Sequence, residues 1–256
     1  MITKIAKKYL PYQIRIIFRK ILFRLKYLFQ LFRTNFRDDN VYCPITGKTY
    51  KQFLKYRNDL LTPDNGAWRR HRLLWLYLIN DTDILTRKDN FKLLHPAPEL
   101  CFYEKFKNKR NIDYYPSDIS EKGLLKIDLT DIKYPDNYFD YIICNHILEH
   151  ITDDKKAINE LYRILKPMGI AIIMVPINEK FEKTYEDPSI ITPEEREKHF
   201  GQWDHVRWYG MDIKDRLRNS GFFVEMIRYS ETITSEKRKN MGICEDFIII
   251  CHKRNI

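Results

Sequence analysis

Residues 131–177 read DIKYPDNYFDYIICNHILEHITDDKKAINELYRILKPMGIAIIMVPI, and this stretch decides the fold. Phe139-Asp140-Tyr141-Ile142-Ile143-Cys144 is a short apolar, β-branched run, the pattern of a strand buried on both faces of a parallel sheet. Asn145-His146-Ile147-Leu148-Glu149-His150 follows, with two imidazoles and a carboxylate in six residues. Thr152, Asp153 and Asp154 offer helix N-caps. Ala157, Ile158, Leu161, Ile164 and Leu165 then recur at helical spacing. Pro167 and Gly169 stop the helix, and Ala171 to Val175 begins another strand. Ligands of open α/β sheets bind at the carboxyl ends of strands, so the polar cluster after Cys144 is a candidate site.

Working outward, Phe91 to His95 reads as the first sheet strand, Ile112 to Asp118 as the second and Leu125 to Leu129 as the third. Met211 to Asn219 reads as the last helix. Phe222 to Ile227 and Asp246 to Cys251 read as terminal antiparallel strands joined by a polar connection, Ser230 to Gly242. The expected fold is α/β: a Rossmann-like, seven-stranded, mostly parallel sheet with helices on both faces and an antiparallel last strand. Between strands, the insertion ending near Gln202 is polar, with Glu194 to Lys198 as a short helix.

The charge of +10 is unevenly placed. Residues 1–37 hold ten Lys or Arg and no acid, while the rest balances 35 basic against 35 acidic residues. This argues against a nucleic-acid-coating body, and no nucleic-acid module is recognisable. Leu10, Ile14, Ile17, Phe18, Ile21, Leu22, Leu25, Leu28, Phe29 and Phe32 share one helical face, with Arg15, Arg19, Lys26 and Arg33 elsewhere. Charges interrupt every apolar run well short of the ~18 residues that span a bilayer. The same interruptions leave no secretory h-region. The arm is thus a basic amphipathic helix. Such a helix suits peripheral contact with an anionic membrane; its apolar face could equally dock on the domain or on a partner subunit. Five scattered cysteines, two of them in apolar runs, fit reduced core residues of a cytoplasmic protein, peripheral at the inner membrane surface if the arm docks there. Oligomeric state is not legible.

Three phrases together resemble a class I S-adenosylmethionine (SAM) dependent methyltransferase of the type 11 domain. They are Leu129-Thr130-Asp131 with Pro135 to Asp140, Asn145 to His150, and Leu161 to Pro167. The resemblance extends more weakly over residues 90–256. With the arm read from its charge and periodicity, three regions are expected: the arm at 1–37, a link at 38–90, and, as the resemblance implies, a methyltransferase domain at 91–256. It also implies a cofactor, SAM, and a small-molecule, lipid or glycan acceptor. The link resembles a degenerate zinc knuckle in which Cys43 is kept, Thr46 replaces a second cysteine and Leu61 to Gly66 has none. One thiol cannot close a structural zinc site, so no metal is expected. Trp68 to Ile79 reads as a helix.

The family's first loop is usually rich in glycine; here it is His95-Pro96-Ala97-Pro98-Glu99. One branch of the family has a similar loop, which implies that His95, Ala97 and Glu99 line the methionine side of the cofactor. Asp118 falls where Rossmann-like folds place the acid that grips ribose. The resemblance sets Asp128 and Leu129 against adenine, and Asn145 and His146 against the cofactor from the fourth strand. His146 or His150 is a candidate general base. Phe200 to Gly210 resembles a family motif that offers His205 and Arg207 to the acceptor, Arg207 holding an anionic group; the alternative is that both tie the insertion down. The rival to a methyltransferase is a catalytically inactive methyltransferase-like binding module recruited to a membrane.

Overall fold

The alternation within two neighbouring strands explains the layering. Ile142 and Cys144 of one strand, with Ala171 and Ile173 of the next, face one core. Ile143 and Ile172, the residues between them, face the other. A strand whose successive side chains are all apolar has two faces to cover, and helices cover both.

The computed structural model describes residues 12–33, 40–120 and 124–255. Helix α1 is Tyr12–Arg33. The link region forms two small antiparallel ribbons, β1 (Val41–Cys43) with β2 (Lys48–Tyr50) and β3 (Leu54–Tyr56) with β4 (Asp59–Leu61), followed by α2 (Arg69–Asn80). The domain proper runs β5 (Phe91–Pro96), α3 (Leu100–Phe106), β6 (Ile112–Asp118), β7 (Leu125–Lys126), β8 (Phe139–Asn145), α4 (Asp154–Ile164) and β9 (Leu165–Met174). The insertion supplies β10 (Tyr185–Glu186), α5 (Pro193–Phe200) and β11 (Arg207–Trp208). The chain ends with α6 (Ile213–Arg218), β12 (Phe223–Ile227), α7 (Ser235–Met241) and β13 (Ile248–His252).

Seven strands form one sheet in the order β12-β13-β9-β8-β5-β6-β7. Pairing is parallel from β9 to β7, and β13 runs antiparallel between β9 and β12. The expected Rossmann-like sheet with an antiparallel last strand is therefore present. Helices α2 and α3 pack on one face and α4 and α6 on the other. Leu161 of α4 is fully buried, and truncating such a leucine costs ~3 kcal/mol. The start of α4 is set by Asp153, whose carboxylate accepts from Lys156 N at 3.0 Å.

Three elements differ from expectation. The third strand contracts to β7, because Asp128 Oδ1 accepts from Thr130 N and Thr130 Oγ1, both at 2.8 Å, and turns the chain off the sheet edge. The helix read over Met211 to Asn219 is confined to Ile213–Arg218. The connection at 230–242 contains α7, capped by Thr234 and ended by Gly242 in the left-handed region.

Link and domain share one core: Cys43, Ile45, Phe53 and Ala67 pack with Leu93, Ile143 and Ile248. The fully buried Arg72 pins the ribbons. Its guanidinium donates to Leu60 O, Ala67 O and Thr62 Oγ1 on the link side, and to Met241 O and Gly242 O at the end of α7. It also stacks on Phe53, 4.0 Å from the ring centre. Thr62 Oγ1 donates to Cys43 Sγ at 3.2 Å, so the group facing the single thiol is a hydroxyl.

The inner edge of α1 is attached to this body. Tyr12 donates to Pro98 O at 2.8 Å, Lys20 pairs with Glu104 at 2.5 Å, and Gln30 bridges Phe53 O and Lys55 N. Its apolar face points the other way: Ile14, Ile17, Phe18, Ile21, Leu22, Leu25, Leu28, Phe29 and Phe32 are 41–91% exposed. The expected start of the arm, with Leu10, and its junction at 34–37 lie outside the described residues. No described helix is long and apolar enough to cross a membrane.

Candidate active site

The carboxyl ends of β5 and β8 lie side by side, and each turns off through a left-handed residue: Ala97 at φ +44° and His146 at φ +51°. Both conformations are unfavourable for a side-chain-bearing residue. At Ala97 the backbone is held by its N–H, which donates to Ser117 O at 2.6 Å. The glycine-free loop thus adopts a backbone conformation that glycine usually supplies.

Between these turns Glu99 gathers a buried polar set. Its Oε2 meets His95 Nε2 at 2.9 Å, and its Oε1 accepts from Asn145 Nδ2 at 3.3 Å. His71 Nε2 stands 3.7 Å from Oε1. His95 is held from behind by Tyr114 OH at 2.9 Å. Burial works against ionisation of Glu99 more than any other single influence, yet the His95 hydrogen bond, the neighbouring His71 and His95 and its own backbone together hold the carboxyl down to about 2. Burial drives His71 down to about 3, so that imidazole is neutral at neutral pH. Trp68 N donates to His71 Nδ1 at 3.2 Å, which places the proton on Nε2, the nitrogen facing Glu99.

A cavity of about 490 Å³ opens here, within the range of small-molecule sites. Ala97, Glu99, His71, Asn145 and His146 form its floor, and Arg19, Phe23 and Lys26 of α1 form a wall. Asn145 Oδ1 and His146 Nε2 are buried without a hydrogen-bond partner, as expected of groups that await a ligand. His146 Nδ1 sits 3.1 Å from Glu149 Oε1. Burial again opposes ionisation of Glu149, and the His146 contact again keeps the carboxyl below the usual range.

Of the residues expected to bind cofactor, Ala97, Glu99, Asn145 and His146 come together on the cavity. His95 is completely buried behind Glu99 and acts through it. Asp118 stands at the end of β6, accepting from Ser120 N and Oγ. Asp128 is engaged by Thr130. Leu129 is buried in the core beside Ile127 and Ile132. None of these last four lines the cavity.

The residues offered to the acceptor are arranged as ties. Arg207 is buried, donating to Leu148 O at 3.0 Å, Ile151 O at 2.5 Å, Thr152 O at 2.8 Å and Glu186 Oε2 at 2.8 Å. It joins the insertion to the start of α4, and every nitrogen of its fork has a protein acceptor. His205 is also buried, with Nδ1 3.2 Å from Phe200 O. His150 Nδ1 lies 3.2 Å from Asp204 O. Two site residues escaped sequence reasoning. His71 comes from the link helix, and its signal was only a histidine within a basic run. Glu149 lies in the polar cluster after Cys144 that the sequence marks as a candidate site, but as part of the helix entry it carried no role of its own.

Known proteins agree with this architecture over part of the chain. A family model described as a methyltransferase domain matches residues 102–173. A ubiquinone/menaquinone biosynthesis C-methyltransferase of Vibrio cholerae is 37% identical over 59 residues, 22% of this chain and 23% of that protein. The protein of the same name from Psychromonas ingrahamii is 36% identical over 71 residues, 27% of this chain and 28% of its own length. The matches thus span about a quarter of these relatives. Among solved structures, the [4+2]-cyclase SpnF is similar with a TM-score of 0.51 at 14% identity, covering 74% of this chain and 84% of that one. This likeness shows the fold, and a fold alone does not specify a reaction. Residues 102–173 thus resemble a methyltransferase domain, set within a Rossmann-like seven-stranded sheet.

Proposed function

We propose that the protein transfers the methyl group of SAM to an acceptor held at an anionic membrane surface. The observation that carries this reading is the meeting of Glu99, after β5, with Asn145 and His146, at the end of β8 within the matched residues. When bound, SAM supplies a methyl group on a cationic sulfonium. An ionised, buried carboxylate at Glu99 suits the cationic portion of such a ligand, and the unpartnered Asn145 Oδ1 offers a further acceptor. Asp118, at the neighbouring strand end, is the acid placed for ribose hydroxyls.

Methyl transfer needs positioning above all. Where the acceptor also loses a proton, His146 is the base: Glu149 orients its Nδ1 and leaves Nε2 without a partner. The exposed face of α1 supports a membrane-held acceptor. Nine large apolar side chains share that face, and Arg19, Arg24 and Lys26 are exposed on the same helix. The curated relatives are named for quinone biosynthesis, and a lipid of that kind is the acceptor class this helix favours.

Calorimetric titration with S-adenosylhomocysteine tests the cofactor. Saturable binding that weakens at least ~10-fold in Asn145→Ala is expected from the loss of one buried polar contact. Absence of binding at millimolar ligand would remove the enzyme reading. Sedimentation with phosphatidylglycerol vesicles tests the arm: Phe18→Glu with Leu25→Glu should leave the protein in the supernatant. Vesicle binding without cofactor binding favours the inactive membrane module.

A further inference from the structure

Glu149, His150 and His205 converge where the 3-10 turn Leu148–His150 meets the loop after α5. One donor atom from each lies within 4.8 Å of the other two. The rings of His150 and His205 meet edge to face with centroids 4.7 Å apart. Their hydrogen bonds set the tautomers. His205 Nδ1 faces Phe200 O and His150 Nδ1 faces Asp204 O, each at 3.2 Å. A carbonyl oxygen only accepts, so each Nδ1 carries the proton and each Nε2 carries a lone pair. Glu149 is completely buried. Its Oε1 is engaged by His146, while Oε2 is buried with no hydrogen-bond partner. An ionised oxygen buried in that way is costly unless a cation or a donor meets it.

We propose that His150 Nε2, His205 Nε2 and Glu149 Oε2 bind a divalent first-row transition-metal ion, with a further position open to water. Two imidazoles and one carboxylate suit Zn²⁺ or Fe²⁺, whereas Mg²⁺ and Ca²⁺ take oxygen donors. The carbonyl oxygens behind both rings are the outer partners that metal-bound histidines ordinarily have. Bonds of ~2.0–2.2 Å place donors about 3–4 Å apart, so the triad closes by up to about 2 Å on loading. His150, with its side chain 31% exposed, is the mobile ligand and the side from which an ion enters. The thiols are elsewhere: Cys43, Cys101, Cys144 and Cys251 are buried in the cores, and Cys244 is partly buried against one of them.

The test uses the full chain after EDTA treatment and desalting, titrated with Zn²⁺ by calorimetry and with Co²⁺ by visible absorption. One ion per chain is expected, with d–d bands of nitrogen and oxygen ligation and no thiolate charge-transfer band. His150→Gln alters a part-exposed side chain and should weaken binding ~100-fold, with circular dichroism unchanged. Glu149→Gln should abolish binding; if that variant does not fold, His150→Gln alone decides. The proposal is overturned by no binding to the parent chain, by an unchanged affinity in His150→Gln, or by a thiolate band. Cofactor binding is measured separately, so the two readings stand or fall independently.

Discussion

Arg207→Met separates a tie from an acceptor clamp. The side chain is almost fully buried, and removing its guanidinium strands two carbonyl oxygens, those of Ile151 and Thr152, and leaves a third, Leu148 O, with Ile151 N alone. Each buried acceptor left unpaired costs ~1 kcal/mol or more. Glu186 retains Arg216, at 2.7 Å, which limits the electrostatic loss on that side. Methionine restores most of the apolar volume, so cavity formation adds little. The sum is a destabilisation of roughly 3–5 kcal/mol. At ~2–4 °C per kcal/mol for a chain of this size, Tm falls by roughly 10 °C. Thermal unfolding followed by circular dichroism reads this directly. Limited proteolysis should cut first within residues 178–206, the insertion that Arg207 fastens. A Tm within ~2 °C of the parent would refute the reasoning and return Arg207 to the acceptor.

Arg72→Met should release the link ribbons and the end of α7 together, seen as faster amide exchange in residues 41–67 and 235–242 ahead of the sheet. Acidification should weaken the fold in two stages. His71 has its pKa lowered from 6.5 to about 3, so its contribution is full above pH 6.5 and fades as pH falls towards 3. Glu99, lowered from 4.5 to about 2, fades between those values; urea midpoints of His71→Gln should be flatter from pH 6.5 to 4.5, and an unchanged slope would contradict the assignment. Ala97→Gly relieves a left-handed alanine and should raise the urea midpoint by the equivalent of ~1 kcal/mol, whereas Ala97→Val should lower it.

The sheet was legible because its strands are continuous apolar runs that only a two-sided covering can bury. Strand ends were legible too, since Glu99, Asn145 and His146 each follow such a run. What was hidden depends on distances between remote residues. Nothing in a linear reading places His71 beside Glu99, or His205 beside Glu149. The burial of Arg207 and His205, which favours a tie over an acceptor contact, is something spacing does not encode. The α7 helix, by contrast, carried signals that were overlooked: Thr234 as a cap and Gly242 as a stop. The arm's periodicity identified an apolar face but not its direction, because direction follows from how its inner edge, through Tyr12, Lys20 and Gln30, meets the body.

Glu149 gives one oxygen to His146 on the cavity floor, and its other oxygen, buried without a hydrogen-bond partner, is the one proposed to meet a cation with His150 and His205. A carboxylate shared in this manner couples two sites thermodynamically. Charge drawn to Oε2 by a proton or a cation weakens the hold of Oε1 on His146. Reciprocity then requires that a ligand acting on His146 change the affinity at Oε2 by the same factor. Occupancy on one side of this residue is therefore readable as an affinity shift on the other.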